Sequence, residues 1–221
     1  MPRRTRWIAI ATALVAMCIG LASSSRLGPA PQIGGAVAKK VAGQEFASVR
    51  SFWQGYLADH YVWSSPAFEV LERATCKSKP FVALACFPPR RPVTTILVQE
   101  EFARRLLAGE QDPEGRRMLR FIIAHEYGHF IVDELARQRY ITAPVAGPRG
   151  EVLADCLGGV TLFKRGTWLT RSEMMQWLNF FFYLNGGTEK PTDHTTPDYR
   201  FAAFQIGVQR GDAGQCLRAY T

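Results

Sequence analysis

The chain has 221 residues, 47% of them apolar and 12% aromatic, which suffices for one sizeable core but is short for two domains. Its net charge of +8 comes mainly from the N-terminus, since residues 1–40 hold six of the 27 basic residues and none of the 19 acidic ones. The remainder has 21 basic against 19 acidic residues. No dense basic face is left, so we expect no nucleic-acid partner.

The first segment predicts export. Three arginines within the first six residues precede the uncharged apolar run Trp7–Ala22, and three serines follow it. This is the layout of a signal peptide, and the run is short for a membrane-spanning helix. We predict that residues 1–25 are a signal peptide or, alternatively, an uncleaved anchor that associates with the inner membrane through residues 7–22. Either form places the protein outside the cytoplasm, in a bacterial periplasm or cell envelope, or secreted.

The rest of the chain predicts one mostly helical domain. Gly, Pro, Ala and Ser dominate the segment after the signal, so residues 26–44 are predicted to be a linker and residues 45–221 the domain. Apolar spacing, caps and breakers then predict the elements. They are a helix from Glu45 to about Val62, a strand Val93–Val98, a short helix over 99–108, and helices over 112–137, 150–163, 170–184 and 196–211. The fold class is α+β, mostly α.

Four cysteines lie beyond the signal segment, and an even number in an exported chain favours disulfides. Three pairings are open to Cys76, Cys86, Cys156 and Cys216. We prefer Cys76–Cys86, which closes a short loop, with Cys156–Cys216, which ties the end of the chain to the helix that carries Glu151. A cysteine-rich zinc site is the competing interpretation, although the chain has no C-x-x-C pair.

The segment Leu119–Val132 reads as a buried helix with three polar residues, His125, Glu126 and His129, in its middle. Burying imidazoles and a carboxylate without partners costs several kcal/mol, and a metal ion is the simplest partner. Residues four apart lie on one face of a helix, so His125 and His129 can bind one ion. Together the residues form the H-E-x-x-H motif, in which the glutamate serves as general base.

A second polar pair lies 22 residues after His129. Glu151 and Asp155 are four residues apart, hence on one face of the next helix, and the apolar sequence after them indicates that this helix is buried. We predict that Glu151 completes the ligands of a single Zn²⁺ ion. Asp155 is predicted to accept a hydrogen bond from a ligand histidine, His125, and so to fix its tautomer.

These motifs carry a family resemblance. The run His125–His129, followed by Glu151-x-x-Ala154-Asp155-Cys156, resembles the bacterial neutral zinc metallopeptidases and, more broadly, the gluzincins. The segments from His194 to Phe201 and from Gly211 to Cys216 resemble the closing motifs of that family, although Phe130 and Thr195 depart from its pattern. The resemblance implies a zincin-like domain with a small β element packed on the active-site helix. It also implies hydrolysis of peptide or protein substrates, with Glu126 as general base.

Two further predictions accompany this interpretation. His194 is a candidate catalytic residue that donates to the oxyanion of the reaction, or alternatively a loop histidine without a role in catalysis. The aromatic run 177–184 is interpreted as core, with a wall for apolar substrate side chains as the alternative. Two competing functions stay open: a zinc-stabilised module of the cell envelope that binds protein partners without turning them over, and a purely structural helical domain without a metal.

Overall fold

Helices make up most of the described part of the protein, and a small three-stranded sheet accompanies them. The computed structural model describes residues 33–58, 64–73, 75–76, 79–80, 83–87, 94–141, 147–164, 170–173, 175 and 196–221. Along the chain the elements are α1 Gly35–Leu57, β1 Ala67–Leu71, β2 Thr75–Cys76, β3 Lys79–Pro80, β4 Ala83–Cys86, β5 Thr95–Gln99, α2 Glu100–Leu106, α3 Pro113–Arg137, α4 Pro148–Phe163, α5 Pro197–Arg210 and α6 Ala213–Tyr220. The prediction of a mostly helical α+β fold is confirmed.

Helix α1 begins at Gly35 rather than at Glu45, so residues 35–44 of the predicted linker are helical. Its buried positions recur every three or four residues, and the first of them, Ala38, lies well before Glu45. Glu45 itself is buried within the helix and accepts hydrogen bonds from Arg116 (2.7 Å) and Arg120 (2.5 Å) of α3. The Gly- and Ala-rich composition suggests a linker, but the small side chains allow α1 to pack closely in the core.

The sheet has the order β1-β5-β4, with β1 parallel and β4 antiparallel to the central strand β5. Strand β5 corresponds to the predicted strand Val93–Val98, and its first four residues are buried. No element is predicted for residues 74–92, but this segment contributes β4, which forms an edge of the described sheet, and the short antiparallel pair β2–β3. Strands β4 and β5 pack against α3, so the small β element does lie on that helix.

Helix α3 begins where the sequence predicts. Asp112 is its N-cap and accepts a hydrogen bond from the backbone N–H of Glu114, and Pro113 occupies the first turn. Helix α4 starts at Pro148, two residues before the predicted start, and every residue from Val152 to Leu162 is buried. A helix that is buried all round needs neighbours on every side. Its neighbours are α3, α5, α6 and α1.

Glycines set the distance between α4 and its neighbours. A Cβ on Gly128 of α3 would lie 2.9 Å from backbone atoms of Ala154, and a Cβ on Gly207 of α5 would lie 1.9 Å from the carbonyl oxygen of Cys156. On Gly159 of α4 it would lie 2.4 Å from the carbonyl oxygen of Phe204. The backbones of α3 and α4, and those of α4 and α5, are therefore in direct contact, which only glycine allows at these positions.

Two disulfides connect these elements. Cys76 pairs with Cys86 across a sequence separation of 10, and Cys156 pairs with Cys216 across 60. Both predicted pairings are confirmed, and the second joins α4 to α6, a helix that the sequence analysis did not predict. Disulfides of this kind indicate an oxidising environment.

No helix in the described part of the chain is both long and apolar enough to cross a membrane. The predicted signal or anchor in residues 1–25 lies outside that part, as does the whole aromatic run 177–184.

The Gly207→Ala substitution is expected to lower the free energy of unfolding by about 1–3 kcal/mol, because the added methyl group meets backbone that cannot yield. Gly55→Ala is the matched control. Gly55 lies in α1 with open space around it, so alanine there should raise the free energy of unfolding by about 0.5–1 kcal/mol. Denaturant titration of the oxidised protein measures both. Equal stability of Gly207→Ala and wild type would contradict the close contact between α4 and α5.

Candidate metal centre

Helix α3 presents two histidines and a glutamate from its buried middle. His125 and Glu126 are buried, and the side chain of His129, one turn further on, is 20% exposed. The Nε2 atoms of the two imidazoles lie 3.2 Å apart. The i, i+4 spacing thus brings both nitrogens to one point, as the sequence predicts.

Helix α4 brings Glu151 to the same point. One carboxylate oxygen lies 3.3 Å from Nε2 of His125, and the other lies 3.3 Å from Nε2 of His129. Ligands at about 2.0–2.1 Å from a tetrahedral zinc ion would be about 3.3–3.4 Å from one another. His125, His129 and Glu151 therefore form a group that could hold a metal ion, because each pair of these residues approaches at a distance close to that between two zinc ligands.

Asp155 lies behind His125, on the side away from the ligand group. Its Oδ1 atom is 2.8 Å from Nδ1 of His125, and its side chain is fully buried. An ionised carboxylate can only accept, so Nδ1–H donates, and when the imidazole is neutral its lone pair is on Nε2. That lone pair faces His129 and Glu151, which is the orientation that metal binding requires.

Arg200, at the start of α5, completes this group. It donates from Nε to Oδ2 of Asp155 (2.6 Å) and from Nη2 to Oδ1 (2.9 Å). Its Nη2 atom also lies 3.5 Å from Glu151. The sequence analysis quoted Arg200 only as part of a closing motif and assigned it no role. An arginine beside apolar positions such as Phe201 and Ala203 was the available signal.

Glu126 is held by the sheet rather than by another side chain. The backbone N–H of Ala85 in β4 donates to Oε2 of Glu126 at 2.7 Å. The predicted ligands His125, His129 and Glu151 thus come together, and the carboxylate of Glu126 is anchored separately from them. The sequence could not reveal Ala85 as the partner, because a backbone donor leaves no trace in residue type.

The charges of the group shift the pKa values of its members. Burial lowers the pKa of His125, but the charge and hydrogen bond of Asp155, joined by those of Glu151, outweigh it and raise the pKa from 6.5 to about 10. Burial has the opposite effect on Asp155 and raises its pKa. The charges of Arg200 and His125 outweigh this effect of burial and hold the pKa of Asp155 below the usual 3.8. Without a metal ion, a proton on His125 therefore balances part of the negative charge.

The predicted candidate His194 lies outside the described residues, so its role stays a prediction.

Stability of the metal-free protein should depend on the pH through His125. The folded protein keeps this proton up to about pH 10, whereas the unfolded chain releases it near 6.5. The stabilisation is thus complete below pH 6.5 and is lost as the pH rises towards 10, at most by about 1.4 kcal/mol per pH unit. Urea unfolding of the chelator-treated protein between pH 7 and 10 measures this.

His125→Asn is the matched control, because its amide N–H can replace Nδ1–H but does not titrate. The wild type should lose more stability than this variant over that range. Parallel pH profiles would show that His125 does not hold the proton.

Comparisons of the chain with protein-family models, with curated proteins and with solved structures give no match. The resemblance to the neutral zinc metallopeptidases stays a prediction, and the functional conclusion rests on the geometry of the site.

Proposed function

We propose that the protein is an exported zinc-dependent peptidase, with His125, His129 and Glu151 as ligands of one Zn²⁺ ion and Glu126 as general base. The observation that carries the proposal is the ligand group, whose residues approach one another at 3.2–3.3 Å, close to the spacing of two zinc ligands, beside a glutamate that is not part of it. Two imidazoles and one carboxylate are a donor set typical of catalytic zinc, which keeps its fourth position open.

A bound Zn²⁺ ion supplies a Lewis acid and lowers the pKa of a water molecule to about 7. The residues of the chain provide the rest. Glu126 takes the proton of the attacking water and later passes a proton to the leaving amine. The N–H of Ala85 holds the Glu126 carboxylate in place for both transfers. Asp155 keeps the Nδ1 proton on His125, so that this imidazole binds as a neutral ligand.

The position of β4 favours a peptide as substrate. This strand forms an edge of the described sheet and passes directly beside Glu126. Extended peptides bind to exposed strand edges through backbone hydrogen bonds. The packing of the small sheet on α3 also supports the zincin-like arrangement that the resemblance implies. We therefore infer that the scissile peptide lies along β4. The two disulfides support an exported location, whether the N-terminal segment is removed or retained as an anchor.

Replacement of a ligand should abolish stoichiometric metal binding. We expect the wild type purified without chelator to hold one zinc ion per chain, and Glu151→Ala or His125→Ala to hold far less than one. The loss of affinity should exceed the factor of about 10–100 that is typical for residues behind the ligands. Elemental analysis after dialysis measures it, with the exposed Glu101→Ala as control. A wild-type protein without metal would refute the site.

Glu126→Gln should retain zinc but hydrolyse peptides about 10²–10⁴ times more slowly, because the amide cannot take a proton. Glu114→Gln, in the first turn of the same helix, is the matched control and should keep wild-type rates. Digestion of a peptide library and of casein measures kcat/KM. Wild-type rates in Glu126→Gln would exclude the assigned base. Zinc binding without any cleavage by the wild type would instead favour the non-catalytic envelope module.

A further inference from the structure

Arg200 makes several polar contacts at the metal site, and the proposed mechanism leaves it without a role. Its side chain is only 13% exposed, and two of its nitrogens bind the two oxygens of Asp155 side by side. Such a paired geometry fixes both the position and the rotation of the carboxylate, which a single hydrogen bond does not.

The contact matters because one oxygen of Asp155 serves two partners. Oδ1 accepts from Nδ1 of His125 at 2.8 Å and from Nη2 of Arg200 at 2.9 Å. Asp155 is fully buried, so water cannot replace either donor. Without Arg200, the carboxylate would keep only His125 among these donors and could rotate about its own bond. The imidazole plane, and with it the direction of Nε2, would then be less well defined.

The balance of charge at the metal site also indicates a role for Arg200. Glu126, Glu151 and Asp155 bring three negative charges to the site, and a Zn²⁺ ion supplies two positive ones. The guanidinium of Arg200 supplies the third, in direct contact with Asp155 and 3.5 Å from Glu151. Leaving a carboxylate buried without its partner is strongly unfavourable, so the arginine is needed for a balanced site.

The packing of the helices makes this position rigid. Residue numbers rise in the same order along both helices at their contacts, from Asp155–Arg200 through Gly159–Phe204 to Phe163–Gly211. The two helices therefore run in the same direction, with backbone contact in their middle. Arg200 reaches Asp155 from a helix that cannot move without disturbing α4.

We propose that Arg200 is a positioning residue of the metal site, which acts through Asp155 to orient His125 towards the ion and also steadies Glu151. This inference rests on the proposed function in so far as that function includes the metal site. It does not depend on peptide hydrolysis, because its readout is the affinity for zinc.

The test is a double-mutant cycle on zinc affinity. The dissociation constant is measured by chelator competition at pH 7.5 for wild type, Arg200→Met, Asp155→Asn and the double variant. We expect Arg200→Met to weaken zinc binding by about 10–100-fold. In the Asp155→Asn background the same change should weaken it far less, because the residue through which Arg200 acts is already altered. Arg210→Met, at the exposed end of the same helix, should bind zinc like the wild type.

Arg200→Lys keeps the charge without the planar pair of donors, so its affinity should lie between those of wild type and Arg200→Met. Circular dichroism of the metal-free proteins shows whether Arg200→Met folds. If it does not, Arg200→Lys replaces it in the cycle. Affinity of Arg200→Met within twofold of wild type, or equal factors in both backgrounds, would overturn the proposal. If the wild type binds zinc but cleaves no peptide, the peptidase proposal fails while this one is still decided by the cycle.

Discussion

The site depends on one close contact, the backbone approach of α3 and α4 at Gly128 and Ala154. The two helices run antiparallel there, so that Asp155 meets His125 and Glu151 meets His129. A side chain at position 128 would push the helices apart, and the two carboxylates would no longer reach the imidazoles. Gly128, which has no functional side chain, therefore sets the geometry of the residues that form the metal site.

Helix α4 combines two demands that usually conflict. It is the most buried of the described helices, yet it carries Glu151 and Asp155 into the interior. The cost of burying these carboxylates is offset by partners on two different neighbours, the histidines of α3 and Arg200 of α5. The polar group is thus a three-helix junction, and each helix is held by charge as well as by apolar packing.

The sequence predicts well those features that depend on spacing within one helix. His125 with His129 and Glu151 with Asp155 are both four apart, and Asp112-Pro113 marks a helix start by local chemistry alone. Several features that depend on distant neighbours were missed, although the Cys156–Cys216 pairing was predicted. The early start of α1 is decided by packing on α3, and β4 is stabilised by pairing with β5. Arg200 and Ala85 reach the site from 45 and 41 residues away, and the local sequence does not show which residue either of them contacts.

The disulfide Cys76–Cys86 has a consequence for the timing of assembly. Cys86 directly follows Ala85, whose N–H holds Glu126, and β4 has only β5 as a partner among the described strands. In a newly made, reduced chain this short edge strand lacks its covalent tether, so the carboxylate of Glu126 has a less firmly fixed partner. Maturation of the site is thereby coupled to thiol oxidation, a step that belongs to the compartment in which the protein arrives and not to the one in which it is synthesised.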